Sequence, residues 1–134
     1  MHEATIANSI LTALTNRLQE VPPSSGAAFV TSAKIAVGEF RNVDAECLLF
    51  AFDSMKSSFP GLETCRLQIC PVDALALCLH NNHQYHPQPN LSYRCGICGS
   101  GIGALEKGEE LDITSIDIES TANPFASVAI GSNA

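Results

Sequence analysis

The chain has no tryptophan, few aromatic residues and few basic residues. Its 134 residues include seven Lys and Arg against fourteen Asp and Glu, which gives a formal net charge of −7. A phosphate backbone repels such a surface unless basic residues cluster locally, and here the basic residues are scattered along the chain. We therefore expect no nucleic-acid partner.

Long hydrophobic runs are also missing. No apolar run approaches the roughly 20 residues that a membrane-spanning helix requires. The first residues show neither the basic segment nor the apolar segment of a secretion signal. We therefore expect a cytoplasmic protein without a membrane partner. A chain of 134 residues is also too short for two independent hydrophobic cores.

Six cysteines are present, and without a secretion signal they are better interpreted as thiols than as a disulfide framework. Cys47 lies in an apolar helical stretch. Cys65 alternates with Leu67 and Ile69, so we expect it to face a core, where a free cysteine behaves as a small hydrophobic residue. Only Cys78, Cys95 and Cys98 have neighbours typical of a metal site.

Hydrophobic spacing predicts an α+β fold with two helices packed on a three-stranded sheet. Asn42 is expected to cap the second helix. In the last strand the apolar parity switches between Ile113 and Ile116, which indicates a β-bulge at Thr114-Ser115. The predicted helices cover residues 4–20 and 43–58, and the predicted strands cover residues 29–37, 64–70 and 111–118.

Residues 72–106 differ in composition from the rest, because Asn, His, Pro, Gly and Cys dominate there. Such a segment has too little apolar surface for a core and needs a structural metal. We therefore expect an α/β unit built from residues 1–71 and 107–119. Residues 72–106 would form an inserted ribbon-like module, and residues 120–134 a flexible tail.

The chain begins Met1-His2-Glu3. A histidine beside a free α-amine can bind a metal through the amine, the imidazole Nδ1 and the intervening backbone amides. This chelate is planar and all-nitrogen, a geometry that suits Ni(II) or Cu(II) better than Zn(II).

Several short motifs follow this start in a characteristic order. Together they resemble the HypA/HybF family of nickel metallochaperones, over roughly residues 1–119. The resemblance implies a non-enzymatic protein that delivers Ni(II) to [NiFe]-hydrogenase, with a partner GTPase and the hydrogenase large-subunit precursor as partners. The motifs are Met1-His2-Glu3, Val37-Gly38-Glu39-Phe40, Phe50-Ala51-Phe52-Asp53, Cys65 to Ile69, Cys95 to Ser100 and Gly108 to Ile113.

The resemblance also implies that nickel is held by the Met1 amine, His2 and the backbone amides. The Glu3 carboxylate could complete the coordination or steer the transfer. Glu3 is equally explained as an acid favoured by the dipole at a helix N-terminus, and both roles are compatible.

A structural zinc ribbon needs four ligands, usually from two Cys-x-x-Cys knuckles. The second knuckle, Cys95 to Cys98, is intact, but the family pattern pairs Cys78 with position 81, which is asparagine. His83 is the favoured fourth Zn(II) ligand, His80 is the alternative, and loss of the closed site is the third possibility.

Two other functions compete with nickel delivery. The missing cysteine and the tail favour a divergent zinc-ribbon adaptor or assembly protein. An enzyme has little support, because the sequence shows neither a nucleophile–base arrangement nor a phosphate-binding glycine loop. The intact Cys-x-x-Cys is not expected to be a redox dithiol, because the glycines after it disfavour the helix that such motifs precede.

Overall fold

The computed structural model describes residues 2–121 and 132–133. Two compact units divide these residues: residues 37–42 and 71–110 form one, called the ribbon unit, and the others form the α/β unit. In chain order the helices and strands are α1 (His2–Gln19), β1 (Ala28–Gly38), α2 (Ala45–Met55), β2 (Arg66–Val72), β3 (Leu75–Cys78), β4 (Gln84–Tyr85), β5 (Ile102–Lys107), β6 (Leu111–Ser120) and β7 (Ser132–Asn133).

The two helices of the α/β unit pack against each other through apolar faces. In α1, Ile10 and Leu14 are fully buried at helical spacing, and α2 buries Leu48 and Phe52. These helices confirm the predicted ones, although α2 is shorter than expected because a 3₁₀ turn, Lys56–Ser58, follows it. Neither helix is long and apolar enough to cross a bilayer.

The cap of α2 was predicted at the wrong residue. Asp44 is the N-cap, and its Oδ1 accepts the Cys47 N–H at 3.1 Å. Asn42 instead adopts the left-handed conformation, with φ 58° and ψ 40°, at the end of a 3₁₀ turn. Asparagine tolerates that conformation well, so the local preference of Asn42 is satisfied two residues before the N-cap, Asp44.

The sheet of the α/β unit has the strand order β2-β1-β6-β7. In β6 the buried isoleucines are Ile113, Ile116 and Ile118. The buried positions therefore change from odd to even numbers after Ile113, as predicted. A fourth strand was not predicted: β7 pairs antiparallel with Asp112 and Ile113. The expected flexible tail, residues 120–134, otherwise falls mostly outside the described residues.

The ribbon unit has its own three-stranded sheet, in the order β4-β3-β5. Strand β3 pairs antiparallel with both neighbours, for example Ala76 with Tyr85 and Leu77 with Ala104. The pairing with β5 is irregular between Leu77 and Cys78. This irregularity lies where the chain leaves the sheet and begins the first knuckle.

Residues 37–42, which the sequence placed in the α/β unit, are bound within the ribbon unit by backbone contacts. Gly38 donates its N–H to the Glu110 carbonyl at 2.8 Å, and Phe40 donates to the Gly108 carbonyl at 2.7 Å. A Cβ at Gly38 would lie 2.2 Å from the Gly108 carbonyl carbon. Only glycine allows this approach of the two backbones.

Glu39 holds together three parts of the ribbon unit. Its Oε1 accepts the Ala74 N–H at 2.9 Å and lies 2.7 Å from His86 Nε2. The Ala74 hydrogen bond, and then His86, lower the pKa of the Glu39 carboxyl below its ordinary value. His86 therefore has a specific partner in the fold.

Replacing the helix cap should weaken the α/β unit. Asp44→Ala removes the acceptor of the Cys47 N–H and should lower the free energy of unfolding by about 1 kcal/mol. Asp44→Asn keeps a side-chain oxygen at that position and should retain most of the stability. Urea unfolding followed by helical circular dichroism measures both, and an equal loss in the two variants would refute the capping role.

The Glu39 contacts should make the ribbon unit sensitive to acid. The folded-state pKa of Glu39 is lowered from 4.5, so its contribution to stability is present above that pH and is lost as the pH falls through the folded value. Glu39→Gln should therefore melt below the wild type at neutral pH, with the difference shrinking below about pH 4.5.

Melting temperatures of the two proteins across this pH range test the expectation. Glu106→Gln, which removes an exposed carboxylate on β5, serves as the control and should follow the wild type. A difference between wild type and Glu39→Gln that does not change with pH would rule out the ionised carboxylate as its source.

Candidate metal centre

The first knuckle lies between β3 and β4. Cys78 ends β3, and the chain reverses through Asn82, which has a left-handed φ of 54°. The Asn82 N–H donates to the Cys78 carbonyl at 3.2 Å, and the Cys78 N–H donates to the His83 carbonyl at 3.0 Å. This turn places His83 directly opposite Cys78.

The second knuckle is a tight loop closed by its own backbone. Gly99 donates its N–H to the Cys95 carbonyl at 2.9 Å, and Cys95 donates to the Ser100 carbonyl at 2.8 Å. Gly99 has a φ of 73°, a conformation that glycine adopts without strain. The loop brings the Cys95 and Cys98 side chains to the same side.

Together the two knuckles bring four possible ligand atoms into one cluster. The Sγ atoms of Cys78, Cys95 and Cys98 and a ring nitrogen of His83 all lie within 4.8 Å of one another. His83 Nδ1 is 3.7 Å from Cys78 Sγ and 3.6 Å from Cys95 Sγ, and the Sγ atoms of Cys78 and Cys98 are 3.6 Å apart. Cys78 and Cys95 are buried, whereas Cys98 is exposed.

Three of these separations match those expected around a tetrahedral zinc ion. Zn–S bonds of about 2.3 Å and Zn–N bonds of about 2.0–2.1 Å give tetrahedral edges of about 3.8 Å between sulfurs and about 3.6 Å between sulfur and nitrogen. The three cluster distances, 3.6–3.7 Å, are close to these edges. Three thiolates and one imidazole are also a ligand set typical of structural zinc.

Hydrogen bonds around the cluster favour the thiolate form. The Ser100 side chain and backbone, and then the Asn81 side chain and His83, lower the pKa of Cys98 to about 5. At neutral pH a metal would therefore not compete with a proton for this sulfur. The His83 N–H also points to Cys78 Sγ at 3.2 Å.

Two residues near the cluster were not identified from the sequence. Asn81, interpreted only as a missing ligand, is a hydrogen-bond partner of Cys98. Tyr85 lies close enough to the cluster that burial, and then the charges of the cysteines, raise the pKa of its phenol. Its hydroxyl donates to the Tyr93 carbonyl at 2.7 Å. The sequence did contain a signal for Tyr85, because it is a tyrosine in the strand that directly follows His83.

The structure brings together the four residues that the sequence placed first, Cys78, His83, Cys95 and Cys98. His80, the alternative ligand, is exposed and does not belong to this cluster. The identity of the metal stays a prediction.

At the N-terminus, Met1 lies outside the described residues. The His2 imidazole is exposed at the start of α1, with Nε2 3.4 Å from Glu3 Oε2. Glu3 is buried, and its Oε2 accepts the Asp44 N–H at 3.2 Å. This hydrogen bond is the largest cause that lowers the pKa of Glu3. Glu3 therefore connects the first turn of α1 to the cap of α2.

Comparison with known proteins gives one consistent family. The family model described as hydrogenase/urease nickel incorporation, metallochaperone, hypA matches residues 1–118. Hydrogenase maturation factor HypA of Chlorobaculum parvum is 29% identical over 119 residues, covering 89% of this chain and 100% of the relative. The factor of the same name from Synechococcus elongatus is 32% identical over 119 residues, covering 88% and 99%.

A relative with a different name is the guanidine hydrolase-activating protein A of Synechocystis. It is 33% identical over 89 residues, which cover 66% of this chain and 72% of that protein. Among solved structures, the solution structure of the Ni metallochaperone HypA from Helicobacter pylori matches with a TM-score of 0.59. It is 18% identical, and the match covers 87% of this chain and 96% of that one. At this identity the match shows the fold.

The two candidate histidines can be separated by substitution. His83→Ala should weaken Zn(II) binding by about 100-fold. A structural zinc site with four ligands has an apparent binding free energy of roughly 10–16 kcal/mol, so the removal of one ligand should cost about 3 kcal/mol of it. His80→Ala should leave the affinity unchanged.

Competition with a chelating indicator and metal analysis of the purified variants provide the readout. Full zinc occupancy and unchanged affinity in His83→Ala would remove His83 from the ligand set. A loss in His80→Ala instead would assign the position to His80.

Proposed function

The chain belongs to the HypA family of nickel-incorporation metallochaperones, and we propose that it binds Ni(II) at its N-terminus and delivers it to a nickel enzyme, foremost a [NiFe]-hydrogenase, during maturation. The observation that carries the proposal is the family match from residue 1 to residue 118, which spans both the Met1-His2-Glu3 start and the Cys/His cluster. Members of this family are metallochaperones and maturation factors rather than enzymes.

In this proposal nickel is held by the Met1 amine, the His2 imidazole and the backbone amides of His2 and Glu3. Helix geometry supports it, because α1 begins at His2 and the first N–H groups of a helix have no partner within the helix. These amides can therefore bind a metal without breaking the helix. The exposed imidazole of His2 can reach the same ion from solvent.

Glu3 can serve both roles expected of it. Its Oε2 is used by the Asp44 N–H, whereas its Oε1 is buried without a hydrogen-bond partner among the described residues. A buried carboxylate oxygen without a partner is costly, and a cation at the N-terminus would compensate that cost. We therefore propose Glu3 as a nickel ligand or as a carboxylate close to the ion.

We propose that Cys78, His83, Cys95 and Cys98 hold Zn(II) and that this ion is structural. Four protein ligands close a tetrahedral site and leave no position for a substrate. When bound, zinc would supply the cross-link between the two knuckles. The free thiols of this cluster need a reducing compartment, which supports a cytoplasmic location.

The proposed partners are the GTPase of the nickel-insertion pathway and the hydrogenase large-subunit precursor. The relative named for activation of guanidine hydrolase adds a second candidate client. The competing adaptor function was suggested by the missing cysteine at Asn81. His83 completes the geometric set of four ligands, so that motivation is weaker, and the family match favours nickel delivery.

The N-terminal site can be tested without disturbing the ribbon. His2→Ala should abolish specific Ni(II) binding in isothermal calorimetry, because the imidazole is the only side-chain nitrogen of the chelate. Acetylation of the α-amine should have the same effect. Zinc content and thermal stability should stay at the wild-type level in both.

His80→Ala, which removes another exposed imidazole, is the matched control and should bind nickel like the wild type. Unchanged nickel affinity in His2→Ala would reject the N-terminal site. An equal loss in His80→Ala would indicate nonspecific binding by exposed histidines.

A further inference from the structure

The three cysteines of the candidate metal centre differ in their access to solvent. Cys98 is exposed, whereas Cys78 and Cys95 are buried. The Cys98 Sγ lies 3.6 Å from the Cys78 Sγ. Cys98 belongs to the second knuckle and Cys78 to the first, so this contact joins the two knuckles. An exposed sulfur next to a buried one is typical of a redox-sensitive cysteine and its resolving partner.

The two sulfurs are close enough to form a disulfide. The sulfur–sulfur bond of a disulfide is about 2.05 Å long. The separation of 3.6 Å between Cys78 Sγ and Cys98 Sγ therefore closes when each sulfur moves by less than about 1 Å. The sequence indicated Cys95 and Cys98 as the dithiol to consider, and that pair was not expected to be redox-active. The fold brings a different pair together.

Cys95 precedes Cys98 in the same knuckle, but its sulfur contacts other groups. The Cys95 Sγ lies 3.6 Å from His83 Nδ1 and accepts the Ile97 N–H at 3.4 Å. The Cys98 Sγ instead contacts the Cys78 Sγ. These contacts favour Cys78 over Cys95 as the disulfide partner of Cys98.

Peroxides react with thiolates much faster than with thiols. A sulfur that holds a metal is a thiolate, so the metal-bound cluster contains the reactive form of cysteine. Two cysteines outside the cluster lie in opposite surroundings. Burial raises the pKa of the Cys65 thiol to about 11, and Asp44, burial and Glu3 raise the pKa of the Cys47 thiol. Both are protonated at neutral pH and should react slowly.

We propose that Cys98 and Cys78 form an oxidation site, at which a hydroperoxide such as hydrogen peroxide produces a Cys78–Cys98 disulfide and thereby releases the metal of the cluster. The inference rests on the proposed function, because it takes the bound ion to be Zn(II). In a reducing compartment disulfides are usually transient and redox-sensing. A dithiol should therefore reverse the modification by exchange.

The reaction consumes one peroxide for each disulfide. The Cys98 thiolate attacks one peroxide oxygen, the O–O bond breaks, and the departing hydroxide takes a proton from solvent to become water. The Cys78 thiolate then attacks the Cys98 sulfur and the S–O bond breaks. The second hydroxide also takes a proton from solvent. The two thiolates together lose two electrons, and the peroxide gains them.

Oxidation would exchange a metal cross-link for a covalent one. The disulfide removes two of the four ligands and leaves Cys95 and His83. A closed tetrahedral zinc site needs four ligands, so the oxidised chain should lose its Zn(II) to a chelator. The disulfide joins the same two knuckles that the metal would join. The N-terminal nickel site shares no residue with this pair, so the affinity for Ni(II) should not change.

The test uses the full-length, zinc-loaded wild type, so no ligand has to be substituted. Hydrogen peroxide is added in increasing amounts, and a coloured chelator measures the released zinc. The remaining thiols are then alkylated, and the tryptic peptides are analysed by tandem mass spectrometry. Trypsin cleaves after Arg94 and separates Cys78 from Cys95 and Cys98. A Cys78–Cys98 disulfide therefore links two peptides, whereas a Cys95–Cys98 disulfide lies within one.

The released zinc and the linked peptides should increase together in equal amounts. The double variant Cys47→Ser/Cys70→Ser is the matched control, because both cysteines lie outside the cluster. It also leaves Cys78 as the only cysteine of its tryptic peptide, which makes the assignment unambiguous. The variant should release zinc at the same peroxide concentration as the wild type and contain the same disulfide.

Four outcomes would overturn the inference. The first is zinc that stays bound after peroxide treatment, and the second is zinc release without a disulfide. The third is a disulfide that joins Cys95 to either of the other two cysteines. The fourth is a control variant that no longer releases zinc, which would place the first oxidation at Cys47 or Cys70.

The zinc content of the untreated chain separates this inference from the proposed zinc site. A reduced chain that binds no zinc refutes the structural ion, and the peptide analysis then decides alone whether Cys78 and Cys98 form the disulfide. A zinc-loaded chain that gives no Cys78–Cys98 disulfide refutes only the inference. Nickel affinity measured before and after oxidation should stay the same, and a loss would contradict the independence of the two metal sites.

Discussion

The ribbon unit depends on the cluster of three sulfurs and one imidazole. Its buried residues are few and mostly small, and two of them, Cys78 and Cys95, belong to the cluster itself. Hydrophobic burial of about 25 cal/mol per Å² cannot offset the entropy of ordering this segment with so little apolar interior. A metal held by this cluster, as proposed above, would tie the two knuckle turns to the strands that lead into them.

The proposed nickel site differs from this cluster because it is exposed and lies at the start of a helix. Its ligands lie at the first residues of α1, where backbone amides have no helical partners and the imidazole is exposed. Binding there requires no packed cavity, and release requires no rearrangement of a core. A closed tetrahedral cluster suits a permanent structural ion, whereas an open site at a helix start suits a cargo that is passed on. On the two proposals, one chain would hold one permanent ion and one transported ion at sites of different kinds.

Periodicity predicted most of the fold because the elements of the α/β unit bury regular apolar faces. The change of parity from Ile113 to Ile116 was visible in the sequence for that reason. Strand β7 was not visible in the sequence, because the polar pair Ser132 and Asn133, which lies opposite Asp112 and Ile113, shows no apolar alternation that would predict a strand. The cap was misplaced because Asn42 and Asp44 both favour such a position, and local sequence does not decide between them.

At the candidate metal centre, too, local sequence predicted some contacts and missed those that join distant parts of the chain. His83 was favoured because it follows the first knuckle and could point back toward it from the next strand, and because some members of the resembled family carry a histidine there. The contact of Glu39 with His86 joins residues 47 positions apart, and nothing in either local sequence indicates it. Asn81 combines both cases: its position identified the missing cysteine, but only the fold shows that its side chain supports the Cys98 thiolate. A substitution that removes a ligand can thus keep the site, provided that a neighbouring residue supplies the ligand and the replacement stabilises those that remain.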